Sequence, residues 1–135
     1  MAESQRQPMS DAEREVLKVL WEHGPSGVRE VLARMTSSGQ GWSRSTVITL
    51  LQRLEKKGYV RSDKSRFAFI FSAAVSREDE MRARMNDLAG ELCNGDALPL
   101  VLAFTQSHRF SPEELAKFRQ MIDDLGPRTK KRGPR

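Results

Sequence analysis

The sequence predicts a mainly α chain with one small β-hairpin (α+β), on three observations. Apolar residues recur at helical spacing in three segments before residue 58. The spacing then switches to period two over residues 60–72. Helical spacing returns after residue 76, where serine caps open new segments.

The first helix starts at Ser10. Ser10-Asp11-Ala12-Glu13 is a capping box, in which the serine hydroxyl accepts from the amide three residues on and Glu13 reaches back to the cap amide. Ala12, Val16, Val19 and Leu20 repeat at helical spacing, and Gly24-Pro25 ends the helix. Ser26 is the expected cap of a short second helix that turns Val28, Val31, Leu32 and Met35 inward. A polar, glycine-bearing loop over 36–41 leads to Ser43, the expected cap of a third helix over about 43–57. Gly58 supplies its left-handed exit. Residues 60–63 and 67–72 read as strands, with Phe67, Phe69 and Phe71 on one face and Lys64-Ser65-Arg66 at the tip. Helix, helix, helix, hairpin within about 65 residues is the order of a winged helix-turn-helix.

A fourth helix follows Ser76, with Met81, Met85, Leu88 and Leu92 along one stripe. Asn94-Gly95-Asp96 breaks it, and Leu98 to Phe104 forms a shorter apolar helical segment. Ser111-Pro112-Glu113-Glu114 is a strong helix start, after which Leu115, Phe118, Ile122 and Leu125 recur at 3,4,3 spacing. Gly126-Pro127 ends this last helix. The expected organisation is a flexible N-terminal arm over 1–8, a winged-helix domain over 9–75, a helical region over 76–125 and a disordered basic tail over 126–135.

Charge divides along the same lines. Residues 1–75 carry 12 Lys/Arg against 8 Asp/Glu, residues 76–125 carry 6 against 10, and the last ten carry 5 against none. A basic first half suits a polyanionic partner. The third helix sharpens this expectation. Val47, Leu50, Leu51 and Leu54 form its apolar side, leaving Thr46, Thr49, Arg53 and Lys56 for solvent or a partner. A helix fits the major groove of B-DNA, where hydroxyl and guanidinium groups can read base edges. Lys64, Ser65 and Arg66 at the hairpin tip suit contacts to the DNA backbone or minor groove. Trp42 beside the helix start is expected to be a packing anchor, and Ile48 an apolar edge of the polar face.

Other classes are poorly served. His23 and His108 are the only histidines, and no catalytic triad, HExxH motif or phosphate-binding loop is present, so an enzyme is not expected. No apolar run approaches a membrane span, and the N-terminus lacks an apolar signal core. Cys93 stands alone, which excludes an intramolecular disulfide and fits a reducing cytoplasm. Two other uses of the same architecture stay open on residues alone. One is a regulator that senses a ligand or, through Cys93, oxidants; the other is a winged helix used only for protein contacts.

Several blocks in order, SDAEREVLKVLWEHGP, VREVL, WSRSTVITLLQRLEKKGYV and SDKSRFAFIFSAAVSREDE, resemble the BlaI/MecI penicillinase-repressor family. The resemblance runs from about Met9 to Leu125. It implies a cytoplasmic, dimeric winged-helix repressor that occupies palindromic double-stranded DNA operators and needs no cofactor. It places DNA contacts on Trp42, Ser43, Arg44, Thr46, Thr49 and Arg53, with Lys64 and Arg66 in the wing; Ser45 and Lys56 complete the expected DNA-binding residues. Family members often carry other side chains at the places of Arg44, Ser45 and Ile48, and glycine at that of Arg66, so the operator sequence is not transferred. In penicillinase repressors a membrane-embedded zinc metallopeptidase sensor cleaves an Asn-Phe bond. The matching place is Ala103-Phe104, which keeps the phenylalanine but not the asparagine. Copper-responsive relatives use a C-terminal cysteine cluster that this chain lacks, so no metal is expected.

A homodimer is also expected from the residues themselves. A winged helix needs only about the first half of the chain, and a two-fold pair would present two reading helices to related half-sites. Met81, Met85, Leu88 and Leu92, with Leu115, Phe118, Ile122 and Leu125, are the expected dimerisation residues.

Overall fold

The computed structural model describes residues 6–65, 67 and 69–126. Its elements are α1 (Asp11–His23), α2 (Val28–Ser37), α3 (Arg44–Lys57), β1 (Val60–Asp63), β2 (Ile70–Ala73), α4 (Arg77–Cys93), α5 (Ala97–Gln106) and α6 (Pro112–Leu125). The strands pair antiparallel, with Val60 opposite Ala73 and Asp63 opposite Ile70. The α+β winged-helix class expected from the sequence is the observed one.

The core lies where α1, α2 and α3 meet the foot of the hairpin. Val16, Leu17, Val31, Met35, Val47, Leu51 and Leu54 are fully enclosed, and Tyr59, Val60 and Phe71 extend the cluster into the wing. Burial of one such aliphatic side chain stabilises the fold by about 1.5–3 kcal/mol, so these contacts set the orientation of α3. Gly58 ends α3 at φ 92°, a left-handed conformation that a Cβ would strain, and the chain turns there into β1.

One charged pair is built into this core. Glu13 is 2% exposed, and its carboxylate accepts from the Ser10 amide at 2.9 Å and from Lys57 Nζ at 2.6 Å. Burial pushes the Glu13 carboxyl up, but the Lys57 hydrogen bond, the Ser10 amide and the charges of Lys57 and Arg53 together pull it below its usual 4.5. The pair fastens the first turn of α1 to the last turn of α3. Residues 6–8 join the same corner. Tyr59 Oη donates to the Gln7 carbonyl at 2.7 Å, Lys57 Nζ to the Pro8 carbonyl at 3.0 Å, and the Arg6 guanidinium sits over the Tyr59 ring. This part of the expected flexible arm is therefore tied down, and residues 1–5 lie outside the described residues.

Two other expectations give way to non-local contacts. Ser26 does not cap α2. Its backbone exchanges two hydrogen bonds with Phe71, at 2.9 and 2.8 Å, and is drawn onto the edge of the hairpin. The cap moves to Gly27, whose amide donates to Glu30 at 2.7 Å. Strand β2 starts at Ile70 rather than at residue 67. The Asp63 carboxylate accepts from the Ser65 amide and hydroxyl, which turns the chain away directly after β1 and leaves Phe67 and Phe69 without strand partners. The three phenylalanines consequently do not share a buried face, since Phe71 is buried while Phe67 and Phe69 are exposed.

Helix α4 begins against the winged part. Ser76 caps it, Trp21 Nε1 donates to the Val75 carbonyl at 2.9 Å, and the Arg77 guanidinium lies over the Trp21 ring. Ala83 and Glu80 are buried there, with Arg84 bonded to Glu80 at 2.8 Å. Asn94, at φ 54°, ends the helix. Beyond it the character changes, because α5 and α6 contain no buried residue. Rings link them at their junction: Phe104 stacks on His108 at 4.2 Å, and Phe110 meets Phe118 edge-on at 4.9 Å. Of the expected tail only Gly126 is described; residues 127–135 lie outside the described residues.

Candidate nucleic-acid interface

Helix α3 divides its residues between core and solvent. Val47, Leu50, Leu51 and Leu54 point inward, and the opposite side exposes Arg44, Ser45, Thr46, Thr49, Arg53 and Lys56. The order follows from 3.6-residue periodicity, which puts positions three and four apart on one face. At the N-terminus, Ser43 Oγ accepts from the Thr46 amide at 3.2 Å and lies 3.1 Å from both Ser45 Oγ and Thr46 Oγ1. Ser43 is therefore first a cap, and its hydroxyl network fixes the two neighbouring hydroxyls. Trp42 is half-buried against the core, as expected of a packing anchor, and Ile48 is half-buried at the edge of the exposed face.

Charge on this surface is unspent. Among the described residues, the ion pairs involve neither Arg44, Arg53 and Lys56 of α3 nor Lys64 of the wing. Lys57, one residue beyond Lys56, is instead consumed by Glu13. Lys64 and Ser65 are exposed at the wing, with the Lys64 ammonium 5.4 Å from the centre of the Phe69 ring. Arg66, the other wing candidate, lies outside the described residues.

An open groove of about 790 Å³ runs between α3 and the wing. Arg44, Ile48 and Gln52 line one wall, Lys64 and Phe67 the other, and Arg29 and Glu30 of α2 its end. Of the α3 and wing candidates it brings together Arg44 and Lys64, while Thr46, Thr49, Arg53 and Lys56 lie on α3 outside it. Gln52 and Arg29 were not singled out from the sequence. Gln52 could have been, because it follows Ile48 and Thr49 at helical spacing and is exposed; the place of Arg29 depends on how α2 packs. Gln is a side chain that can pair bidentately with adenine.

The remaining candidates fall into the second half. Met81, Met85, Leu88, Leu92, Leu115, Ile122 and Leu125 are all exposed and Phe118 is half-buried. Ala103 and Phe104 lie within α5, both exposed. Cys93 is a half-buried free thiol at the end of α4. Among the described residues no group of three His, Cys, Asp or Glu side chains could hold a metal ion, and no helix is long and apolar enough to cross a membrane.

Residues 9–124 match the family described as penicillinase repressor. The penicillinase repressor of Bacillus licheniformis is 30% identical over 122 residues, spanning 90% of this chain and 94% of that protein. The methicillin resistance regulatory protein MecI of Staphylococcus aureus (strain N315) is 24% identical over 115 residues, 85% of this chain and 93% of that one. The solution structure of the DNA-binding domain of the repressor BlaI is 35% identical, covers 53% of this chain and 85% of its own, and superposes with a TM-score of 0.47. With the family matched over nearly the whole length, the chain belongs to the penicillinase repressors, a family of regulators and not of enzymes.

Proposed function

We propose that this chain is a dimeric, sequence-specific DNA-binding repressor. The observation that carries the reading is the exposed face of α3, where hydroxyls and unpaired cations stand together on a helix anchored by four buried residues. A rigid helix of this kind enters the major groove, with Thr46, Thr49 and Arg53 directed at base edges and Arg44 and Lys56 at phosphates. The wing, residues 60–72, steadies the helix on the backbone through Lys64 and Arg66. Membership of a repressor family, and a named penicillinase repressor matched over nearly its whole length, support the regulatory role. Such a protein works where the DNA is, in the cytoplasm.

The division of labour runs 9–75 for DNA and 76–125 for pairing. One winged module neutralises few phosphates and reads few bases, whereas a joined second module binds at a high effective concentration. Exposed Met85 and Leu88 on α4, and Ile122 and Leu125 on α6, supply an apolar surface that a second copy would bury. Release by proteolysis fits the same scheme. Ala103-Phe104 sits in a ten-residue helix with no buried residue, and a helix of that length unwinds at little cost to give a peptidase an extended substrate. A cut there, by a membrane metallopeptidase sensor, would detach α6 and leave the winged domain intact.

The test is selection of bound duplexes from random DNA by the full chain, followed by binding measurements over a range of salt. A two-fold symmetric motif bound with a steep inverse salt dependence is the expected result. Failure to enrich any sequence would overturn the reading and favour a winged helix used for protein contacts.

A further inference from the structure

We infer that Phe67, at the tip of the wing, is a DNA contact that reads the minor groove beside the α3 footprint. The inference rests on the DNA-binding reading above and extends it to a residue outside the cationic set.

Phe67 is the most exposed large apolar side chain described in this protein, with no part of its surface covered. The ring gains nothing from its own fold. Phe69, two residues on, already has the Lys64 ammonium over its ring, and Phe71 is buried in the core. The exposure of Phe67 follows from the short strands, which end at Asp63 and Ile70 and leave the ring on the loop between them. Its position selects the partner. Phe67 lines the groove whose facing wall is Arg44, Ile48 and Gln52 of α3, and Lys64 stands on its own side. The ring therefore stands across the groove from the Arg44, Ile48 and Gln52 flank of α3. Arg44 and Lys64 make no ion pair among the described residues, and the acids of the lining, Glu30 and Glu55, accept from the Gly27 amide and the Ser62 hydroxyl. That combination, an apolar wedge framed by cations, complements a polyanion that offers apolar sugar faces and a groove floor. The minor groove next to a major-groove helix is such a surface, and apolar side chains insert there between base steps or against deoxyribose.

The chemistry predicts a base preference. The guanine 2-amino group projects from the minor-groove floor, whereas A·T pairs present only acceptors. A phenyl ring seated there is obstructed by the amino group, and Lys64 is drawn to the narrower, more negative A·T groove. Flanks of the bound site should thus favour A·T, without any hydrogen bond from the wing to a base.

The experiment uses duplexes selected by the full-length wild-type chain. Adenines in the flanks are replaced by 2,6-diaminopurine, which adds the minor-groove amino group and leaves the major-groove edge unchanged. Wild type should lose about five- to tenfold in affinity on substitution, as expected when a partly buried aromatic contact is removed. Phe67→Ser should bind the unmodified duplex about five- to tenfold more weakly and be indifferent to diaminopurine. Phe67→Leu should restore part of both effects. Because the ring touches nothing in the protein, thermal unfolding should be the same for all three. Selective binding by wild type with equal affinity and equal diaminopurine sensitivity in Phe67→Ser would overturn this inference and leave the repressor reading standing. No selective binding by wild type would instead remove the repressor reading, and this inference with it.

Discussion

The two halves of the chain treat apolar surface in opposite ways. Residues 9–75 enclose it except at the wing, where Phe67 and Phe69 are exposed: Val16, Leu17, Leu51 and Leu54 are sealed, and a charged pair, Glu13–Lys57, is set among them. Residues 76–125 display it: Leu92, Ile122 and Leu125 are 72%, 62% and 76% exposed, on helices that are well capped and otherwise regular. Good caps and poor burial together mean that local sequence specifies these helices while the described residues of one chain leave much of their apolar surface uncovered. The first half is a finished module, and the second has the composition of one side of an interface. On this reading regulation can act on the second half without disturbing the first.

The largest expected effect comes from breaking that second side. Ile122→Asp combined with Leu125→Asp should give a monomer by sedimentation, with the helical signal and the unfolding of the winged half retained. Its affinity for selected DNA should fall about a hundredfold or more as the linked second module is lost. Retained dimers would show that the exposed stripe has another use. In the first half, Leu51→Ala should cost about 3 kcal/mol in urea unfolding, because the site is enclosed on all sides and leaves a cavity. The matched Leu125→Ala should cost under about 0.5 kcal/mol when measured on the winged half.

The buried pair gives the next effect. Lys57→Met strands the Glu13 carboxylate and should destabilise the fold by about 2–3 kcal/mol. The pH dependence has a definite sign. Glu13 holds its proton less tightly in the folded chain than its usual 4.5, so its contribution is fully present above that value and is lost as pH falls through the lower folded value. Acid unfolding of wild type should steepen below about pH 4.5, and Glu13→Gln should flatten that region while lowering stability at neutral pH. The smallest effects belong to the surface. Arg53→Ala should weaken selected-site binding about tenfold and relax sequence preference, while Lys56→Ala should weaken all sequences alike and reduce the salt slope by about one. Lys56→Ala should leave stability unchanged, and Arg53→Ala should lower it only slightly, through the lost charge near Glu13.

Local chemistry was legible in the sequence and non-local pairing was not. The capping boxes at Ser10 and Ser111, the Gly58 exit and the inward side of α3 depend on residues within one or two turns, and all stand as read. Ser26 and the start of β2 depend on each other across some forty-five residues, through backbone bonds that leave no mark in either segment. The same holds for Lys57, which by periodicity is one more surface cation and in the fold is the partner of Glu13. Of the candidate interface, the α3 face was readable from its spacing. The groove that adds Arg29, Gln52 and Phe67 exists only once α2, α3 and the wing are packed.

The most direct measurement is the mass of the complex formed by wild-type protein on a duplex selected from random sequence, by sedimentation at low and moderate salt. The account predicts two protomers on one two-fold symmetric site, bound together, with affinity falling steeply as salt rises. One protomer per site, with the C-terminal stripe still exposed to solvent, would contradict it.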